Sequence, residues 1–255
     1  LILLPVLALF FLANLMFHLE PLAGIAGAAS AGLRIGVNLL MLLVVIFIGR
    51  IVPTFLGIAR LGAGGPRRPV SWPLLEGLAI GSVALFLAAD LVDHEAAWVG
   101  LLALGAAGAQ VVRMANWRAG GLLRKPFLLG LHLGYAWVAA GLALTGSAYL
   151  GGLIPGASAL HAMTAGGIGG TIFAVMSIVG LLHTGRPAEI RPLVAAACLL
   201  VSAAALVRIA APVLFGEGYK EALIASVVLW AAAFGIHVVV YWPILSKRRP
   251  DGIPG

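Results

Sequence analysis

Charged side chains are scarce in this chain. Only 10% of its 255 residues are charged and 62% are hydrophobic, against about 25% and 45–50% in soluble domains. The mean hydropathy is +1.10, and so few charges do not cover a water-exposed surface. The apolar runs are long and lack the two-residue alternation of a β-barrel. The sequence therefore predicts an all-α integral membrane protein, since helices satisfy their own backbone hydrogen bonds in lipid.

Cysteine is almost absent. The single cysteine, Cys198, lies within an apolar run, which excludes a disulfide framework, an iron–sulfur cluster and covalent c-type haem attachment through Cys-x-x-Cys-His. Any metal must then be bound by His, Met or carboxylate side chains. The sequence also lacks the glycine-rich phosphate loop, the Rossmann glycine pattern, the His-Glu-x-x-His motif and the nucleophile patterns of hydrolases. The absence of these motifs argues against a hydrolase and against a nucleotide-driven pump.

What the chain does contain is eight segments long enough to cross about 30 Å of hydrocarbon. They predict a polytopic transmembrane helix bundle that forms a single domain over residues 1–255, with no internal repeat and no long soluble insertion. Glycines at close spacing in the fourth and sixth segments are typical of closely packed helices. The predicted spans are residues 1–19, 24–49, 73–92, 95–115, 126–147, 158–182, 191–212 and 221–245.

Basic and acidic residues alternate between successive connections. The even connections and the tail contain Arg50, Arg60, Arg67, Arg68, Arg113, Arg118, Arg124, Lys125, Arg186, Arg191, Lys247, Arg248 and Arg249. The odd connections contain Glu20, Asp90, Asp93, Glu95, Glu217 and Glu221. By the positive-inside rule, the even connections and the C-terminus are expected in the cytoplasm. The net charge of +7 is explained by topology, so no nucleic-acid partner is expected.

Ionisable side chains inside the spans are costly and indicate functional positions. An outer group comes from five spans and comprises His18, Arg34, Asp90, His161 and Arg208. This group predicts a polar cavity that opens outward and holds haem propionates beside an axial imidazole, because arginine binds carboxylates bidentately. In the alternative interpretation, Arg34 and Asp90 form a structural ion pair and Arg208 extends to the lipid surface.

An inner group consists of His132 in the fifth span and His237 in the eighth. Helix rise places both about 10–15 Å from the cytoplasmic boundary, so they are candidates for the two axial ligands of one haem. In the alternative interpretation each imidazole is satisfied by a neighbouring carbonyl or by a tyrosine hydroxyl, from Tyr135 or Tyr241.

The remaining histidines and two methionines give weaker signals. His161 and His183 lie on one span about 33 Å apart, so they cannot bind the same metal. His94 is flanked by two acids and is interpreted as a solvated loop residue. Met163 and Met176 are possible copper ligands, although core packing is the better interpretation of both.

Several short motifs follow one another over nearly the whole chain. They are Gly49-Arg50-Ile51-Val52-Pro53-Thr54-Phe55, Leu131-His132-Leu133-Gly134-Tyr135-Ala136-Trp137, Leu160-His161-Ala162-Met163-Thr164-Ala165-Gly166-Gly167-Ile168-Gly169, His183-Thr184-Gly185-Arg186-Pro187, Tyr241-Trp242-Pro243-Ile244-Leu245 and Arg249-Pro250-Asp251-Gly252-Ile253-Pro254-Gly255. In order and spacing they resemble the NnrS family of bacterial inner-membrane proteins. The resemblance implies a protein of about twelve spans that carries haem and copper and is associated with nitric oxide metabolism and nitrosative-stress resistance.

The resemblance also adds site residues. It marks His132, His161 and His183 as family histidines and Arg50 and Arg186 as motif arginines, and it implies haem b with copper as a second cofactor. The expected cofactor-binding residues are His132, His161, His183, His237, Arg34 and Arg208, and the expected metal ligands are His18, His132, His161 and His183. The chain would correspond to the last eight spans, with about four more before it.

Two functions are compared on this basis. The leading hypothesis is a haem and copper protein of the inner membrane, with lipid and nitric oxide or a related small molecule as partners; whether it turns over a substrate is left open. The alternative is a non-catalytic partner or assembly subunit of a respiratory or other membrane complex, with structural histidines. A transporter is less supported, because the sequence lacks broken-helix symmetry.

Overall fold

Helices make up the bundle, in agreement with the predicted fold class. The computed structural model describes residues 3–62 and 72–252, and these residues contain no strand. A π-helix over Ala162–Gly169 joins α6 to α7, and short 3₁₀ segments precede α5 and α9. The α-helices are α1 (Leu3–Ala23), α2 (Ala28–Leu61), α3 (Pro73–Val92), α4 (Ala97–Asn116), α5 (Pro126–Tyr149), α6 (Gly156–His161), α7 (Gly170–His183), α8 (Pro192–Leu214) and α9 (Tyr219–Leu245).

The eight predicted spans are confirmed, and the chain is a multi-pass membrane protein. Eight described helical stretches are long and apolar enough to cross a membrane. The sixth stretch, Gly156–His183, combines α6, the π-helix and α7. Glycine and small residues permit the π-helical turns here without breaking the span.

Helix α2 differs most from its predicted bounds. The span was predicted to end at residue 49, but α2 contains 34 residues and continues through Pro53 to Leu61. At 1.5 Å per residue it is about 50 Å long, so its last turns extend beyond the hydrocarbon. Arg50 and Arg60 are therefore helical rather than in a connection. Arg67 and Arg68 lie outside the described residues.

The end of α2 is attached to the end of α4. Arg60 Nη2 donates to the carbonyl oxygens of Trp117 and Arg118 at 2.9 and 3.1 Å. Those carbonyls lie just after the last turn of α4, where they have no helical donors. Basic side chains at helix C-termini also interact favourably with the helix dipole.

Helix α5 is the centre of the bundle. It contacts α2, α4, α7, α8 and the π-helix, whereas α1 packs mainly against α2, and α9 mainly against α8. Small residues on α5 allow this central position. Gly141, for example, leaves room for the backbone of the π-helix. A Cβ atom added to Gly141 would lie 2.9 Å from the Met163 nitrogen. Close backbone approach of this kind is how small residues hold helices together in lipid.

We expect Gly141→Ala to lower the free energy of unfolding by about 1–3 kcal/mol, the usual cost of overpacking a tight contact. The matched control is Gly105→Ala on α4, where an added Cβ meets no atom within 4 Å. The control should be neutral or slightly stabilising, because alanine favours helix more than glycine does. Unfolding in mixed detergent micelles measures both variants. Equal stability of the two variants would contradict close α5 to π-helix packing.

Candidate functional sites

An outer cavity of about 380 Å³ lies between α2, α3, α5 and α6. It is found at the ends of these helices that the charge pattern predicts to face outward. Its polar lining includes Arg34, Asn38, Asp90, His94, Glu95 and Tyr149. Its apolar lining includes Leu33, Phe86 and Leu160. The structure thus brings Arg34 and Asp90 to one cavity, as the sequence predicts.

Asp90 is the centre of a hydrogen-bond cluster in this cavity. Asn38 Nδ2 donates to Asp90 Oδ2 at 3.4 Å, and the Tyr149 hydroxyl donates to Asp90 Oδ1 at 2.6 Å. His94 Nδ1 lies 2.9 Å from Asp90 Oδ1 and 3.1 Å from the Tyr149 hydroxyl. A buried carboxylate in lipid needs such partners. Asp90 is therefore satisfied on both oxygens.

Arg34 has no comparable partners. Among the described residues it forms no ion pair with Asp90 within 4.0 Å, so the structure does not contain the ion pair considered in the alternative interpretation. Its Nε atom is buried without a hydrogen-bond partner. Because Arg34 also lines the cavity, this unpartnered guanidinium nitrogen is a donor that could bind a ligand there.

The rest of the predicted outer group lies elsewhere. His18 is exposed on α1. His161, at the end of α6, lies close enough to Arg208 of α8 for a Coulombic interaction, but neither residue lines the outer cavity. The outer cavity also contains His94, which lies in the exposed turn between α3 and α4, as the sequence predicts, but which was not predicted to line the site. The available signal was the four-residue spacing of Asp90 and His94, which brings their side chains to one face of a helical turn.

His132 lies in a second site, a groove of about 480 Å³ between α4 and α5 near the predicted cytoplasmic side. Its Nδ1 atom is 2.8 Å from the Leu128 carbonyl oxygen, as the carbonyl alternative predicts. Its Nε2 atom, however, is buried and has no hydrogen-bond partner. The adjoining Trp117 ring packs edge-on at 5.4 Å and has an unpartnered buried Nε1. His132 therefore brings one unsatisfied ring nitrogen to the groove, and the second belongs to Trp117, which packs behind it and does not line the groove.

His237 lines a different cavity, of about 360 Å³, on the face of α9. It stacks on Tyr241 with ring centroids 4.2 Å apart. Its Nδ1 atom is 3.2 Å from the Ser177 hydroxyl, which donates to the Phe173 carbonyl. His132 and His237 therefore line separate cavities.

Arg186 and His183 lie near the C-terminal tail, whereas the other motif arginine, Arg50, lies on α2. His183 is exposed at the end of α7, and Arg249 Nη1 donates to its carbonyl oxygen at 3.0 Å. Arg249 also pairs with Asp251 at 2.6 Å, and this carboxylate raises the pKa of the Arg249 guanidinium. Arg186 donates to the carbonyl oxygens of Thr184 and Ile244. These contacts tie the tail to α7 and α9.

The structure also contains a buried network that sequence reasoning missed. Arg113 is 1% exposed and forms a two-point ion pair with Glu76 of α3. Its Nη1 atom donates to the Val45 carbonyl at 2.8 Å and to the Tyr135 hydroxyl at 3.0 Å. The Tyr135 hydroxyl in turn donates to Gln110. Arg113 was assigned to a connection from its position near the end of the fourth span, but it joins α2, α3, α4 and α5 inside the bundle.

Gly49 explains how this network fits. A Cβ atom at position 49 would overlap the Arg113 guanidinium group. Gly49, the first residue of its motif, thus leaves room for the Arg113 side chain of α4. The neighbouring motif residue, Arg50, is exposed.

Metal binding by a compact cluster finds no support in the part of the chain that the structure describes. No group of three or more His, Cys, Asp or Glu side chains is placed to hold a metal ion there. Single imidazoles with a free nitrogen, chiefly His132, are the available ligands.

Comparison with known proteins gives one match. A family model described as NnrS protein matches residues 1–249. Neither a curated protein nor a solved structure matches the chain.

Proposed function

The chain belongs to the NnrS family, and on that premise we propose that it is a haem-binding membrane protein of nitric oxide metabolism or nitrosative-stress protection. The proposed haem b site is the groove between α4 and α5, where His132 would hold the iron. Its partners are membrane lipid and nitric oxide, a small apolar molecule that reaches a buried site through lipid.

The observation that carries this proposal is the state of the two His132 nitrogens. Nδ1 is oriented by the Leu128 carbonyl oxygen, and Nε2 is buried without a partner. Axial and metal-ligating histidines commonly donate one ring N–H to a backbone carbonyl, which fixes the tautomer and leaves the other nitrogen free to ligate. An unpaired imidazole nitrogen in the interior is otherwise costly.

The groove's other residues fit a large apolar cofactor. Its walls are largely apolar, with Val111, Met114, Leu129 and Leu133 among them, and Arg118 lies at the rim. A volume of about 480 Å³ is within the usual range for cofactor sites. Bound haem would supply an iron centre that binds nitric oxide and exchanges electrons. His132 would hold the iron, Arg118 would pair with a propionate and the apolar walls would exclude water.

The other predicted ligands would belong to further sites. His237 lines its own cavity, and His161 lies on the predicted outer side within Coulombic range of Arg208. We propose His161 as the candidate for copper or a second haem, since an imidazole is a suitable ligand for either. His18 and His183 are exposed, so ligation by either would need groups beyond those that surround it here.

Cofactor content of the purified protein tests the proposal. Spectra of the oxidised and reduced protein should show a b-type Soret band that shifts when nitric oxide is added, and elemental analysis should report iron, with copper as the second metal. Protein that contains neither haem nor copper, even after haem is supplied during expression, would contradict the proposal and favour the non-catalytic membrane partner.

We further propose that the protein lies in the bacterial inner membrane with a cytoplasmic C-terminus, as the charge pattern predicts. Single cysteines test this orientation in a Cys198→Ala background. A membrane-impermeant maleimide should label Glu217→Cys in cells with a permeabilised outer membrane and Lys247→Cys only after the inner membrane is opened. Both positions are exposed. The reverse labelling order would contradict this topology.

A further inference from the structure

The outer cavity contains a cation, Arg34, that has no acidic partner among the described residues. Arg34 is the seventh residue of α2, about 9 Å along the helix from Ala28, so its charge lies within the span. Its Nε atom is buried and unpartnered, and no described acid lies within ion-pair distance of it. An isolated charge at this depth is unfavourable. An external anion would satisfy it.

The acidic side chains that line the cavity do not supply the anion that Arg34 lacks. Both Asp90 oxygens already accept hydrogen bonds, from Asn38 and Tyr149, and His94 lies 2.9 Å away. The two nitrogens of His94 face carboxylate oxygens of Asp90 and Glu95, at 2.9 and 3.8 Å. Arg34 is therefore the charged donor of the cavity that has no acidic partner among the described residues, which favours an anionic ligand over a cationic one.

The cavity opens to water on the side of His94. Side-chain exposure rises from 5% at Asp90 to 37% at His94 and 70% at Glu95. This gradient indicates a mouth beside the connection between α3 and α4 and a floor at Asp90. A ligand would enter from the aqueous phase at the outer end of the bundle.

The volume of the outer cavity and its lining residues indicate which class of ligand it binds. The volume of about 380 Å³ exceeds that of a single small ion, and Leu33, Phe86 and Leu160 give the cavity apolar walls. A guanidinium group binds planar oxyanions and carboxylates with two parallel hydrogen bonds. We propose that the outer cavity is a binding site for a small soluble carboxylate with an apolar body, whose head group is held by Arg34. This site is independent of the haem groove at His132.

Calorimetric titration with benzoate tests the site, using the full chain in nanodiscs of zwitterionic lipid. Wild-type protein should bind benzoate saturably, and nitrate, which offers a planar head without an apolar body, more weakly. Arg34→Gln should weaken benzoate binding roughly ten- to hundredfold, the loss expected for a charged hydrogen-bonded pair. Lys220→Gln is the matched control, because Lys220 is an exposed cation on the same predicted side and should leave the affinity unchanged.

Gly156→Leu provides a second test that leaves Arg34 intact. Gly156 lines the cavity, and a Cβ added there meets no atom within 4 Å. The leucine side chain should fill the cavity and abolish benzoate binding in a protein that keeps its thermal stability. Benzoate binding of wild-type affinity in Arg34→Gln or in Gly156→Leu, or an equal loss in Lys220→Gln, would overturn the proposal.

The phosphate of an anionic lipid could also bind the Arg34 guanidinium. A second set of nanodiscs, which contains anionic lipid, distinguishes a lipid head group from a soluble carboxylate. Adding phosphatidylglycerol should leave benzoate affinity nearly unchanged if the ligand is soluble. If the anionic lipid abolishes benzoate binding in an Arg34-dependent way, the guanidinium binds a lipid head group and the proposal is wrong. Absence of saturable binding of both probes to wild-type protein would also overturn it.

Discussion

Replacement of His132 by alanine is expected to remove haem from the groove between α4 and α5 almost completely. The side chain is the one imidazole of that groove, and its Nε2 atom has no partner among the described residues. Alanine would leave the cofactor without its iron ligand, held only by the apolar walls and the proposed contact of Arg118 with a propionate, and loss of a metal ligand is among the most severe single changes. The Soret absorbance per protein in purified His132→Ala measures this loss against wild type.

Two controls separate ligation from folding. Imidazole added during purification should restore the Soret band of His132→Ala, because the deleted ring leaves a space of its own shape. His18→Ala removes an imidazole that is exposed on α1 and should retain wild-type haem content. A His132→Ala protein that keeps its haem, while folding normally, would refute ligation by His132.

The second large effect concerns stability. Glu76→Ala is expected to lower the free energy of unfolding by about 3–5 kcal/mol, because it leaves the Arg113 charge buried without its acid. The Val45 carbonyl and the Tyr135 hydroxyl accept hydrogen bonds from that guanidinium but do not neutralise it. Steric trapping or unfolding in mixed micelles gives the value. Glu221→Ala, an exposed acid in the first turn of α9, should change stability by about 0.5 kcal/mol or less.

A double-mutant cycle shows whether the effect belongs to the pair. Arg113→Ala alone is also expected to destabilise, but the double variant should cost less than the sum of the single variants by about 0.5–3 kcal/mol. Strict additivity would mean that Glu76 and Arg113 act independently, contrary to the two-point contact between them.

The fold was predictable because its determinants are local. Each span is an uninterrupted apolar segment, and lipid permits little except a helix for it. The largest error, at the end of α2, came from placing Arg50 in the connection after a span that ended at residue 49. The helix instead continues past the hydrocarbon, where an arginine is not costly and Arg60 can contact the end of α4.

The sites were less predictable because they depend on how helices rotate about their axes. Depth along a helix grouped Arg34 with Asp90 correctly, but it also grouped His132 with His237, which line separate cavities. Depth does not report which face a residue occupies. The pairing of Glu76 with Arg113, across 37 positions of the sequence, depends on two helices meeting and on the space left by Gly49.

Electron paramagnetic resonance of the reduced protein mixed with nitric oxide tests the central claim most directly. If His132 holds a haem that binds nitric oxide, the signal should carry hyperfine splitting from the imidazole nitrogen, and ¹⁵N-labelled histidine should change that splitting. The splitting should disappear in His132→Ala. The same splitting in His132→Ala, or no nitric oxide signal in haem-loaded wild-type protein, would contradict the account.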